Sequence, residues 1–157
     1  MKIKTLVSIL LTASTVFARA SDKTVTLDET PRTIQKAIKE HAGSGKIMRI
    51  EQVTERRQVQ YEALIRRAPS GSEIEFIFNS DGSLDSTEEP LSIQELPATV
   101  QRASKTVVGK GNISTAERRI KGGTITYEVG YRSSKGQERE AVFASDGKLV
   151  KNGADTN

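Results

Sequence analysis

The side chains of this chain best able to do chemistry are glutamates. Glu73 and Glu75 in the first half, and Glu138 and Glu140 in the second, lie two residues apart, the spacing that puts side chains on one face of a strand. By the same alternation Glu62 and Glu128 lie on that face of neighbouring strands. Paired carboxylates can act as general acid and base, but only in a cleft that raises one of their pKa values, and nothing in the sequence indicates a cleft. Arg66 and Arg132 end the neighbouring strands, and Leu64, Ile77 and Val142 add apolar ground. A sheet face mixing carboxylates, arginines and a few aliphatic groups suits protein recognition. It also suits cross-strand pairs that merely keep a sheet soluble. The expected partner-binding residues are Glu62, Leu64, Arg66, Glu75, Ile77, Glu128, Arg132, Glu140 and Val142.

Other chemistries find little support. His41 is the one histidine and there is no Cys, so zinc and transition metals lack a ligand set and thiol or Ser–His catalysis lacks its parts. The glycines at 43/45, 109/111 and 122/123 do not sit between a strand and a helix ahead of Lys-Ser/Thr, as a phosphate loop requires. Asp81-Gly82 and Asp146-Gly147 read as hairpin turns, because calcium needs a ladder of oxygen ligands that one Asp-Gly does not provide. Asn112-Ile113-Ser114 matches a glycosylation acceptor, relevant only in a eukaryotic secretory path. No catalytic residue, metal or cofactor is expected.

The elements that position the glutamates are written twice. Slid by 66 residues, Pro31, Thr33, Gln35, Ala37, Lys39, Gly43, Gly45 and Ile47 meet Pro97, Thr99, Gln101, Ala103, Lys105, Gly109, Gly111 and Ile113. Glu51 meets Glu117, and Tyr61-Glu62 meets Tyr127-Glu128. After one extra residue in the first copy, "NSDGSL" falls on "ASDGKL". About 20 of some 55 positions are identical, which reads as an internal duplication. Each copy predicts a helix and an antiparallel meander. Thr30 is the expected N-cap and Pro31 the first helical position. Ile34, Ala37, Ile38, His41 and Ala42 form one apolar stripe, and Val100, Ala103, Val107 and Val108 the other. Strands are expected at Lys46–Thr54 and Asn112–Ile120, and alternation continues through Val59, Tyr61, Ala63, Ile65 and through Ile125, Tyr127, Val129, Tyr131.

The ends have their own logic. Lys2 and Lys4 precede the apolar run from Leu6 to Leu11, and Ala18-Arg19-Ala20 offers small residues at a cleavage point. This is the layout of a secretory signal, too short to span a bilayer. Of 24 basic and 20 acidic residues in the 157, the signal holds Lys2, Lys4 and Arg19, leaving 21 against 20. The net charge of +4 therefore comes mainly from the signal, and a nucleic-acid footprint is not expected. No later segment approaches transmembrane length. The expected organisation is a signal peptide at 1–20, one repeat at 25–85, a polar linker at 86–90, a second repeat at 91–151 and a disordered tail at 152–157. The expected fold is α+β: two tandem units, each one helix packed on a three- to four-stranded antiparallel sheet.

Leu96-Pro97…Val100-Gln101…Ala103, then Tyr127-Glu128-Val129, then Phe143…Asp146-Gly147…Leu149, resemble the PepSY-like domain, a relative in fold of the beta-lactamase inhibitory proteins. The first copy is looser, with Thr30 for Leu and Ala63 for Val. The resemblance implies an exported, non-enzymatic protein that binds or inhibits a peptidase or another envelope protein, in the periplasm or outside the cell. The alternative expectation is a small-ligand or cation-responsive envelope module using the glutamate-rich face. A hydrolase built on Glu62 or Glu128 is the remaining possibility.

Overall fold

A computed structural model of the chain describes residues 21–55 and 58–153. The expected signal peptide at 1–20 and the end of the expected tail, 154–157, lie outside the described residues. The strands are β1 (Ser21–Thr24), β2 (Lys46–Glu55), β3 (Gln58–Arg66), β4 (Glu73–Asn79), β5 (Leu84–Pro90), β6 (Asn112–Lys121), β7 (Thr124–Arg132), β8 (Glu138–Ala144) and β9 (Leu149–Asn152). The helices are α1 (Arg32–Ala42) and α2 (Ala98–Val108), each preceded by a short 3-10 turn.

The expected pair of separate helix-on-sheet units is not what forms. Among the described residues, nine strands make a single antiparallel sheet in chain order, β1 to β9, and only two short helices accompany it. The cause lies in residues 86–90, expected as a linker. They belong to β5, which pairs with β4 through Phe76↔Thr87 and with β6 through Thr87↔Ile120. Had this stretch been a loop, β4 and β6 would each present an unpaired edge of backbone donors and acceptors. Its side chains hide the strand, since Ser, Glu and Asp have low β propensity. Ion pairs across the ladder take the place of apolar contacts: Asp85 with Lys121 at 2.9 Å, Glu88 with Arg119 at 3.3 Å, and Glu89 with Arg118. Pro90 closes the strand, where its missing N–H costs least. At the far edge, Leu149–Asn152 form β9, the expected closing hairpin strand extended by Asn152, the first residue of the expected tail.

Both helices lie on one face of the sheet, α1 over β3 and β4 and α2 over β7 and β8. Beneath α1, Ile34 and Ile38 pack with Tyr61, Ala63, Ile65, Phe76 and Phe78. Beneath α2, Val100 and Val108 pack with Tyr127, Val129, Tyr131, Ala141 and Phe143. Ser104, outside the expected stripe, is fully buried there and donates its hydroxyl to the Gln101 carbonyl. The helix starts also differ from expectation. Pro31 and Pro97 occupy the capping position with no side-chain cap. Thr30 is buried and donates instead to the Leu27 carbonyl at 2.7 Å. Gln35 and Gln101 reach back to the Thr30 and Leu96 carbonyls, at 2.9 and 2.8 Å, and so hold the chain entering each helix.

The Asp-Gly turns are hairpin turns whose carboxylates serve the turn itself. Asp81 accepts from the Ser83 N–H at 2.8 Å and Asp146 from the Lys148 N–H at 2.9 Å. Gly82 and Gly147 have φ of 92° and 88°, the left-handed region glycine favours. A Cβ on Gly147 would also stand 2.8 Å from the Thr99 carbonyl oxygen. His41, at the end of α1, packs edge-on to Phe76 and Phe78 with centroids 5.1 and 5.3 Å away.

Candidate recognition face

The two helices leave the other sheet face uncovered, and strand register fixes which side chains share it. Residues directly opposite in an antiparallel pair point to the same side. One row therefore runs Thr24, Glu51, Glu62, Ile77, Ser86, Lys121 and Thr124. A second runs Arg49, Leu64, Glu75, Glu88, Arg119, Thr126 and Ala144. A third runs Pro90, Glu117, Glu128, Val142 and Lys151, with Glu140 two residues before Val142 along β8. The bulges between Ile47 and Arg49 in β2 and between Ile113 and Thr115 in β6 keep Arg49, Glu51 and Glu117 on this side.

All nine residues expected from the sequence lie on this face by register. Arg66 and Arg132 sit at its margin, in exposed pairs with Glu73 at 2.7 Å and Glu138 at 2.6 Å. The other seven lie nearer its middle. Sequence reasoning omitted Glu51, Glu88, Glu117, Arg49 and Arg119. Glu88 was hidden in the stretch expected as linker. Glu51 and Glu117 carried a usable signal, since they meet each other when the sequence is slid on itself.

Like charges oppose one another here. Glu51 faces Glu62, Glu75 faces Glu88, and Glu117 faces Glu128, arrangements that destabilise a ladder unless something neutralises them. Arg49 lies 3.6 Å from Glu51 and 3.4 Å from Glu75. Arg119 pairs with Glu88 at 3.3 Å and donates to the Ser86 hydroxyl. Among the described residues no cation pairs with Glu117 or Glu128. Burial deepens the effect, with Glu62 at 9% and Glu140 at 7% exposure.

The electrostatic consequence is a group of carboxyls that resist ionising. Desolvation, then the Glu88, Glu75 and Glu140 charges, push the Glu117 carboxyl up to about 7. Desolvation and the Glu140 charge, together with a hydrogen bond between the Glu128 and Glu140 carboxyls, push Glu128 up to about 8. Such a bond requires a proton, which the raised Glu128 carboxyl supplies. Glu75 is raised by burial and by Glu88, with Arg49 offsetting part of the rise. Among the described residues no group of three or more His, Cys, Asp or Glu is arranged to hold a metal ion.

No protein-family model matches the chain, and no curated protein matches it. Solved structures do. A BLIP-like protein of Bacteroides fragilis superposes with a TM-score of 0.63 at 21% identity, covering 82% of this chain and 88% of its own. A DUF2874 family protein of Bacteroides uniformis gives 0.67 at 13% identity over 79% and 88%. A proposed periplasmic protein of Bacteroides eggerthii gives 0.66 at 15% over 79% and 88%. At these identities the likeness is one of fold, and the chain has the BLIP-like fold. None of the described helices is long and apolar enough to cross a membrane.

Proposed function

We propose that the chain is an exported, non-catalytic binding protein whose uncovered sheet face engages a basic surface on another envelope protein, as its inhibitor or modulator. The observation that carries this is the central carboxylate group, where Glu117 and Glu128 are half-buried without a cationic partner of their own. A partner's arginine or lysine would supply the missing charge and remove the cost of opposing like with like. The secretory layout of residues 1–20, the internal duplication and the PepSY-like motifs support export and a binding role. So does the naming of a fold neighbour as a proposed periplasmic protein. The duplication further supports descent of the two halves of the sheet, 25–85 and 91–151, from one unit.

The test is affinity capture from an envelope fraction with three baits. The native chain and a helix-side variant, Lys36→Glu, should retain the same exported protein, and Glu128→Lys should lose it. Equal retention by all three baits, or none by any, refutes the reading.

A further inference from the structure

We propose that the Glu117 and Glu128 carboxyls, paired across β6 and β7 with Glu140 of β8 beside them, form a proton-operated switch that sets the charge of the uncovered face. The geometry comes first. β6, β7 and β8 bring the three carboxyls together through the Glu117↔Glu128 pair and the Glu128–Glu140 hydrogen bond. From β5 and β4, Glu88 and Glu75 add further negative charge.

The arginines on the face, and Lys121, are committed elsewhere. Arg49 on β2 is shared by Glu51 and Glu75, Arg119 on β6 serves Glu88, and Lys121 serves Asp85. Arg132 on β7 is held by Glu138 of β8 at the margin. Lys151 on β9 stands opposite Val142, the residue that also opposes Glu128. From β3, Glu62 adds another acid to the face. With more carboxylates than cations in a partly dry place, binding a proton is the cheapest way to remove charge. The raised titration of Glu117 and Glu128, to about 7 and about 8, supports this and places the change near neutrality.

As regulation of partner binding the switch rests on the proposed recognition role, whereas as a property of the free chain it does not. The experiment separates the two. Carboxyl carbons of glutamate-labelled full-length protein are followed by NMR from pH 4 to 9. At least two glutamates should titrate above pH 6, and Glu128→Gln should remove one and shift another downward. If every glutamate titrates below pH 5.5 the switch is refuted, a result the unmodified protein gives whether or not the variant folds. In the second arm a hexa-arginine peptide is the probe. It should bind about tenfold more tightly at pH 8.5 than at 5.5, with the difference lost in Glu117→Gln/Glu128→Gln. Equal affinity at both values, with high titrations present, refutes the coupling to recognition and leaves the switch in place.

Discussion

Replacing Glu128 by Gln should make the protein more stable, and only at the alkaline end. Gln matches Glu in shape and its amide can donate to Glu140 as the protonated carboxyl does, so little changes where Glu128 is already neutral. In the unfolded chain the carboxyl titrates at its ordinary 4.5, and in the fold it holds its proton to about 8. Between those values the folded state binds more protons than the unfolded one, so stability falls as pH rises and levels off above about 8. The 3.5-unit separation, at about 1.36 kcal/mol per unit, sets a ceiling of about 5 kcal/mol on the loss. Water reaching the open side of the sheet and rotation of the ionised side chain outward reduce this to about 2 kcal/mol. Urea unfolding at pH 5 and pH 8.5 measures it. The two proteins should be nearly equal at pH 5, with the variant ahead by about 2 kcal/mol at pH 8.5. A constant difference at both values, or a variant that loses stability with pH as steeply as the native chain, would refute the electrostatic account of the face.

Salt should act in the same direction: 0.5 M NaCl should raise Tm more at pH 8.5 than at pH 5, because it screens the repulsion only where the carboxyls are ionised. Gly147→Ala should cost about 2 kcal/mol by thermal unfolding. The new Cβ meets both a φ of 88° and the Thr99 carbonyl at 2.8 Å, whereas Gly136→Ala, with φ of 82° and open space, should cost about half as much. Phe143→Ala empties the fully buried centre of the second core and should cost about 3–5 kcal/mol in urea unfolding. Arg118→Ala, which leaves Glu89 without its ion-pair partner at the β5–β6 join, should cost about 1 kcal/mol by the same measurement.

The strands that bury one apolar face were legible because period two is written plainly in them, as in Val59, Tyr61, Ala63 and Ile65. Helix stripes were legible through Ile34 and Ile38, or Val100 and Val108, since a stripe facing a sheet must recur at helical spacing. The join was not. Ser86-Thr87-Glu88-Glu89-Pro90 has the composition of a linker, and what makes it a strand is the free edges of β4 and β6 together with Arg118, Arg119 and Lys121 some 30 residues later. That is tertiary information which local propensity does not contain. One misread strand was enough to turn a continuous sheet into two expected units. Alternation gave the side of the sheet on which the glutamates stand. It could not give the depth to which they are buried, because burial on that face depends on how neighbouring strands converge.

Solubility alone is a poor account of the uncovered face. A face kept only for solubility would set opposite charges across each ladder pair and hold them in water, where repulsion is weak and cations are easily found. Arg66 with Glu73 and Arg132 with Glu138, at the exposed margin, are of that kind. Toward the middle the pattern reverses: carboxylates oppose carboxylates, and Glu62 and Glu140 retain less than a tenth of their exposure. One Lys in place of Glu117 would relieve two repulsions at once, so the arrangement is costly where a cheap remedy is a single substitution away. A fold that carries such a cost offsets it elsewhere, here with two well-filled cores under the helices, and local violations of this kind belong to functional sites. What would make the cost useful is an incoming positive charge. The margin, already paired, would then contribute shape and solvation, and the middle would contribute the energy.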